Sequence, residues 1–367
     1  MMSYRTDTFR ISMAGPADLT GLVSLIESGA LDARHIVAIL AKTEGNGGVN
    51  DFTREYTCAT IAQTLAKHLD VTPEEVERRI AIVVSGGTEG ILSPHATIFA
   101  RVPADGKVAA DKADASKRLA IGIAATRDFM PHEIGRAAQI EATADAVKAA
   151  MLNAGISGAA DVHWVQVKCP LLTAERVRVA RREGHEPVTE SAYKSMAYSR
   201  GASALGVAVA LGEITAPIAD EAVLLDWSLS SGVASASAGI ELLNNIVIVL
   251  GNSAEASGDS IISHAVMHDA IDAAAVLQAM RHEAAKPADV SRIVNVLAKA
   301  DPSPDGMLRG WRHIMLDDTD ISATRHARAA VGGVIAGITG CPAVFVSGGA
   351  EHQGPPGGGP VAVILRI

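Results

Sequence analysis

The feature that most constrains this chain is an ordered set of landmarks that recurs three times along its 367 residues. An apolar, strand-like stretch closes on a lysine in "HIVAILAKTEGNG", "DVHWVQVKCPLL" and "RIVNVLAKADPSPDG", placing Lys42, Lys168 and Lys299 in equivalent positions. Each is followed by a Ser/Thr-Arg pair that opens a small-residue helix, in "DFTREYTCATIAQTLA", "MAYSRGASALGVAVALG" and "SATRHARAAVGGVIAG", which aligns Arg54, Arg200 and Arg325. A second apolar stretch then closes on Ser85, Ser237 or Ser347, with Glu89, Glu241 or Glu351 four residues beyond. Repetition at this scale marks duplicated supersecondary units. The expected fold is α/β (α+β): three similar repeat units around a pseudo-threefold axis, strands in a central barrel-like core and helices outside. Stretches rich in Gly, Asp, Ser and Ala place the units at roughly 1–105, 113–250 and 256–367.

Composition narrows the class. The chain is 48% hydrophobic but 3% aromatic, so its core is mainly Ala, Val, Ile and Leu. A net charge of −9 with scattered basic residues gives no electrostatic footprint for nucleic acid. Three cysteines, Cys58, Cys169 and Cys341, read as reduced, buried small residues. The opening "MMSYRTDTFRISMAG" lacks the apolar core of a signal peptide, and no run reaches the ~18 apolar residues of a membrane span. A cytoplasmic protein with neither a nucleic-acid nor a membrane partner is the expectation.

Taken singly, every landmark has a bland reading. Ser-Gly-Gly after a strand is usually a turn, a lysine closing a strand is usually a solvated edge charge, and Ser/Thr before an Ala-rich helix is usually an N-cap. Joint recurrence in three copies argues otherwise, because surface charges drift freely between duplicated units. A serine hydroxyl becomes a nucleophile when a base takes its proton, and a lysine serves as that base only when neutral. Converging arginines and burial both favour the neutral amine. The guanidiniums offer planar donor forks to carbonyl oxygens, and N–H groups of the glycine turns can hold an oxyanion. Together these make an acyl-transfer site. Three equivalent clamps suit a small flat ring with three carbonyls, so the expected partner is a small cyclic imide.

Other features were weighed in the same way. The tail "GAEHQGPPGGGP" reads either as a flexible loop or as a hard-cation site of carbonyl oxygens, with Asp301 as its carboxylate. "HAVMH" sets His264 and His268 on one face of a helix, but lacks a third ligand and reads as structural. Cys169, beside Lys168, has no counterpart in the other copies and reads as packing.

The stretches "AKTEGNGGVNDFTREY", "VVSGGTEGILSPHATIF", "MLDDTDISATRHARAAVGG" and "VSGGAEHQGPPGGGP" resemble the ring-opening amidohydrolases, the family of cyanuric acid amidohydrolase and barbiturase. The resemblance spans essentially the full chain. It implies one active site between three α/β units, no organic cofactor and assembly into homotetramers. It also implies ring-carbonyl binding by Arg54, Arg200 and Arg325, with further contacts from Ser85 and Gly86, Ser237 and Ala238, and Ser347 and Gly348. The working dyad falls on Ser237 and Lys168, while Lys42 and Lys299 assist binding or tune charge. A structural Mg²⁺ or Ca²⁺ would sit on the carbonyls of Ala350, Gln353, Gly354, Pro355 and Gly358. Two departures stand out: Asp301 where the family carries glutamate, and Ser-Ala-Gly in place of Ser-Gly-Gly at Ser237. Cyanuric acid is the favoured substrate because its ring symmetry matches three near-identical clamps. Barbituric acid is the alternative, and a non-catalytic binder of cyclic imides is the contrasting class. A serine–lysine peptidase is weaker, since the Ser-x-x-Lys spacing is missing.

Overall fold

The computed structural model describes residues 4–104, 117–281, 289–316 and 321–367. The expected boundary between the first two units, at 105–113, lies outside the described residues. The first sheet comprises β1 (Tyr4–Ser12), β2 (Ile36–Thr43), β3 (Ala81–Gly86) and β4 (His95–Pro103). The second comprises β5 (Arg118–Ala125), β6 (Val162–Pro170), β7 (Ala234–Gly239) and β8 (Ile246–Ser253). A two-residue β9 (Ala256–Ser257) follows and pairs with β1. The third sheet comprises β10 (Ser260–Met267), β11 (Ile293–Ala300), β14 (Phe345–Gly348) and β15 (Gly359–Arg366), with a small hairpin, β12 (Met307–Leu308) and β13 (Trp311–Arg312), inserted between its second and third strands.

The strand orders are β3-β2-β4-β1, β7-β6-β8-β5 and β14-β11-β15-β10. In each sheet the first pair is parallel and the other two pairs are antiparallel. A parallel pair needs a crossover, and helices supply it. These are α2 (Phe52–Leu69) and α3 (Pro73–Arg79) in the first sheet, α5 (Ala174–Arg182) and α6 (Ala192–Leu211) in the second, and α8 (Ala323–Thr339) in the third. Helices α1 (Thr20–Glu27), α4 (Ala137–Asn153) and α7 (Ala273–Ala279) cover the remaining outer surface.

Each sheet is buried on both faces, which is why its strands read as near-continuous apolar runs. The outer faces pack on the helices in three separate clusters. The inner faces share one cluster, in which Phe99, Trp164 and Phe345 come from different sheets. A barrel-like core was expected, and this part of the reading is corrected. Among the described residues the three sheets do not hydrogen-bond into a closed barrel. They meet face to face instead, through the shared inner cluster and not through hydrogen-bonded edges.

Two local expectations also change. The helix carrying Arg200 begins at Ala192, capped by Ser191 accepting from the Lys194 N–H, so Arg200 lies mid-helix. His264 lies on β10 and not on a helix, because "SIISHAVM" pairs along its whole length with β15. Its Nδ1 is 2.8 Å from Nδ1 of His163. Close helix packing explains one glycine: a side chain at Gly206 would meet the Ile140 carbonyl and Thr143, where α6 crosses α4. No described helix is long and apolar enough to cross a membrane.

Phe99 is fully buried in the shared central cluster. Phe99→Ala should lower unfolding stability by about 3–5 kcal/mol, read by denaturant melting. A loss under 1 kcal/mol would show that the sheets do not depend on this layer.

Candidate active site

Strand parity builds the site. In β2, Ala38 and Leu40 face the shared core, so Lys42 does too; in β3, Ala81 and Val83 do the same for Ser85. The pattern repeats with Trp164 leading to Lys168 on β6, Leu297 to Lys299 on β11 and Phe345 to Ser347 on β14. Parallel pairing then sets Lys42 opposite Ser85, Lys168 opposite Ser237 and Lys299 opposite Ser347. Three lysine–serine pairs therefore crown the apolar core at the ends of three parallel strand pairs. Cys169 points outward into the helix-facing cluster, as its packing reading requires.

The three pairs are not alike. Lys42 Nζ donates to Ser85 Oγ at 3.2 Å and to the Gly86 carbonyl at 2.8 Å. Lys299 Nζ donates to Ser347 Oγ at 3.2 Å, the Gly348 carbonyl at 3.0 Å and the Ala236 carbonyl at 2.9 Å. Lys168 Nζ instead meets Glu241 Oε1 at 2.9 Å and the Val84 carbonyl at 3.1 Å. That leaves the buried Ser237 Oγ without a hydrogen-bond partner among the described residues. Burial, reinforced by the Arg328 charge, holds the Lys42 amine well below the usual lysine range. Burial and Arg200 hold Lys299 at about 7. Burial pushes the Glu241 carboxyl upward, but the Lys168 and Arg54 charges outweigh it and hold the group at about 2.

The guanidiniums reach from unit to unit. Arg54 on α2 donates to the Ala238 carbonyl of the second sheet at 3.0 Å and to the Gly48 carbonyl at 2.9 Å. Arg200 on α6 forms a two-point pair with Glu351 beyond the third sheet, at 2.8 and 2.5 Å. Arg328 on α8 closes the circuit with a two-point pair to Glu89 beyond the first sheet, at 2.8 and 2.5 Å. The lysine contacts run the opposite way, from Lys168 to the first sheet and from Lys299 to the second. One pocket gathers Ser85, Gly86, Ser237, Ala238, Ser347 and Gly348 with Arg54, Arg200, Arg328 and Lys168.

Sequence reasoning missed Arg328. Arg325, aligned by its Ser/Thr-Arg pair, has a half-exposed side chain at the mouth and lies 3.3 Å from Glu89. Arg328, one helical turn further on, takes the buried place. The three glutamates were aligned but given no role. Their common spacing from the serines was the available signal.

Asp301 and the 350–358 loop adjoin this pocket. The Asp301 carboxylate is partly buried, accepts from the Ala350 N–H at 3.3 Å and is pushed upward by desolvation and by Glu351. Gln353 commits its side chain elsewhere, accepting from the Ala236 N–H at 2.7 Å and donating to the Gly349 and Glu351 carbonyls at 3.1 Å. The Ala350 and Pro355 carbonyls accept from the Gln353 and Gly358 N–H groups, and Gly354 N–H donates to the Ser231 carbonyl. No group of three or more His, Cys, Asp or Glu with metal-binding geometry occurs among the described residues.

Paired amines and hydroxyls, guanidinium forks and strand-end N–H groups converging on one small pocket define acyl-transfer chemistry on a compact polar substrate. The chain belongs to the ring-opening amidohydrolases: residues 7–366 match the family described as "Amidohydrolase ring-opening protein". It is 60% identical, over the full length of both chains, to a cyanuric acid amidohydrolase of Bradyrhizobium diazoefficiens. It is 56% identical to one from Pseudomonas sp. (strain ADP), over 99% of each chain. Among solved structures it is similar to one reported as "Cyanuric acid hydrolase: evolutionary innovation by structural concatenation", with a TM-score of 0.93, 55% identity and full coverage of both chains. It is also similar to the cyanuric acid hydrolase from A. caulinodans, with a TM-score of 0.89, 46% identity and 99% coverage of each.

The Lys42 environment sets a pH dependence of stability. A lysine whose amine is held well below its usual range in the folded chain leaves the unfolded state with the extra proton below the ordinary value of 10.5. Stability therefore rises as pH climbs towards that value, by up to about 1.4 kcal/mol per unit for one proton. Lys42→Met should lessen the rise in melting temperature between pH 7 and 10, leaving the share that Lys299, held at about 7, contributes. An unchanged slope would show that Lys42 is not the group concerned.

Proposed function

We propose that this protein is a cyanuric acid amidohydrolase, opening the ring hydrolytically with Ser237 as nucleophile and Lys168 as its base. The observation that carries the reading is the convergence of three register-matched lysine–serine pairs and three buried arginines on one pocket. Its full-length relatives named as cyanuric acid amidohydrolases support the substrate. Three repeat units around a pseudo-threefold axis, a homotetramer and a cytoplasmic location belong to the same reading, supported by family membership and by the matching strand orders.

In this mechanism Arg54, together with Arg200 and Arg328 released in part from their carboxylates, presents N–H groups to the ring carbonyls. Serine hydroxyls and the N–H groups of Gly86, Ala238 and Gly348 fix the ring in plane. Ala238 is free of the left-handed region, so its methyl group is compatible with donation from its N–H. Ser237 is the chosen nucleophile because its buried hydroxyl is uncommitted, whereas Ser85 and Ser347 each accept from a lysine. Its oxygen attacks a ring carbonyl carbon while its proton passes to neutral Lys168. The C–N bond then breaks and the nitrogen takes that proton, giving an acyl-enzyme. Water hydrolyses this to carboxybiuret, which loses CO₂ to give biuret. Lys42 and Lys299 assist by holding the flanking serines.

Ser237→Ala should abolish turnover, by at least about 10³-fold as for other units that act together, with the melting temperature unchanged. Wild-type turnover in the folded variant would remove the dyad assignment. Parallel assays on cyanuric and barbituric acid, followed by loss of ring absorbance, test the substrate. Consumption of barbituric acid alone would reverse the assignment.

A hard cation completes the reading. Asp301 is partly buried with a single weak N–H donor, and carbonyls of Ala350, Gln353, Gly354, Pro355 and Gly358 lie along the adjoining loop, a donor set of the oxygen type that Mg²⁺ and Ca²⁺ take. Such an ion would supply the positive charge that fixes this loop and, through it, Glu351 against Arg200. Chelation should lower the melting temperature, with Mg²⁺ or Ca²⁺ restoring it and Asp301→Asn removing the response. A chelator-insensitive melt would dismiss the ion.

A further inference from the structure

Lys168 lines the central pocket and also a second, larger cavity among those described. This cavity, of about 930 Å³, lies between the first and second sheets. Cys58 and Ala59 on α2, Glu77 near the end of α3, and Ala124 and Ala125 on β5 form part of its wall. Its inner end is the Lys168–Glu241 pair. Lys168 thus has two faces: one towards Ser237, the other towards a carboxylate standing at the end of a solvent-filled cleft. The Glu241 side chain is 20% exposed, against 13% for Glu89 and 12% for Glu351, each of which is held by an arginine. Lys42 and Lys299 themselves are fully buried.

The two openings differ in charge. The mouth on the arginine side is a pocket of about 380 Å³ lined by Lys194, Arg200, Arg325 and Arg328 as well as Asp301 and Glu351. The rear cavity carries Glu55, Glu74, Glu77 and Glu241 against Arg78, Arg79 and Lys168. A ring with acidic N–H groups is drawn to the first and gains nothing from the second. Once a ring occupies the arginine forks, the front is filled. Two needs remain: the lysine must lose the proton it holds against Glu241, and the acyl-enzyme must receive water.

We propose that the cavity between the first and second sheets is a rear passage that exchanges protons and water with Lys168 while substrate occupies the front. This deepens the proposed function and rests on its Ser237–Lys168 dyad. The Lys168 ammonium gives a proton to cavity water held beside it by the Glu241 carboxylate, which stays ionised. Neutral Lys168 then takes the Ser237 proton as the Oγ–C bond forms, and delivers it to the ring nitrogen as the C–N bond breaks. In the second half a water molecule from the same cavity adds to the acyl carbon, its proton going to Lys168. That proton returns to Ser237 Oγ as the ester bond breaks. The passage also accounts for which dyad works: neither of the other two amines pairs with a carboxylate that opens on such a cavity.

The test combines a plug with chemical rescue. Ala59→Trp and Ala125→Trp place an indole on opposite walls of the cavity, away from the arginine mouth. Each should lower kcat at least fivefold with KM within twofold and an unchanged melting temperature. Glu241→Ala should lose at least tenfold in kcat, and added formate, entering through the emptied place, should restore much of it. Adding either plug to Glu241→Ala should abolish the formate effect, which a merely structural role for Glu241 would not produce. Wild-type kcat in both plugged enzymes, absence of formate rescue, or equal rescue with and without the plugs would each overturn the passage. These outcomes stand apart from failure of the dyad, which Ser237→Ala reads by itself.

Discussion

Charge compensation at the meeting point of three sheets is the constraint on which the rest of the structure depends. Three lysines and three arginines approach one small pocket from which bulk water is largely excluded, and like charges at such distances repel by several kcal/mol at the effective dielectric of a protein. Three glutamates, each four residues beyond a strand-end serine, relieve that repulsion. Because Arg200 and Arg328 reach forward to the carboxylate of the next unit, neutralising the pocket also ties the sheets together. The electrostatics and the assembly of the three sheets are one problem with one solution. Burial first, and an arginine charge second, hold the Lys42 and Lys299 amines below the usual lysine range, since Glu89 and Glu351 are paired with arginines.

The second sheet breaks this pattern through its backbone. Gly87 and Gly349 adopt left-handed conformations, with φ of 107° and 75°, and a side chain at either would strike the Arg328 or Arg200 guanidinium. Gly239, their counterpart, is instead the last residue of β7, in register with Pro170. The strand runs one residue further past its serine than β3 and β14 do, and the turn after it points differently. Glu241 consequently meets its own unit's lysine, Arg54 falls to the Ala238 carbonyl, and the Ser237 hydroxyl is left uncommitted. A one-residue change in where a strand ends converts a repeated structural contact into a distinct one.

How much of this was legible in the sequence depended on whether repetition carried the signal. Lys42, Lys168, Lys299 and the three serines sit on strands, where period-two burial and parallel register leave little freedom, and alignment alone brought them together. The arginines sit on helices, where a neighbour one turn away occupies the same face. That is why Arg325 was chosen although Arg328 takes the buried position. The helical reading of "HAVMH" failed because spacing of four residues fits both a helix face and a strand face. The closed barrel failed because apolar alternation fixes which face is buried without fixing how sheet edges meet. Nothing in the sequence showed that Lys168 would choose Glu241 over Ser237, since that contact turns on the course of one loop.

Three lysine–serine corners, one of them divergent, have a chemical logic in the proposed reaction. For a ring with threefold symmetry, every productive orientation is equivalent, so three similar clamps capture it whichever carbonyl arrives at Ser237. Binding shared equally by three corners is uniform binding, which holds substrate and transition state alike and does not itself speed the chemical step. Acceleration has to come from an interaction present at one corner only, where charge develops as one carbonyl is attacked. Two of the corners commit their lysine to a serine and their glutamate to an arginine, whereas the third pairs lysine with glutamate and leaves Ser237 uncommitted. Divergence at the second sheet thus singles out one corner for attack, and the likeness of the other two serves to present the ring to it.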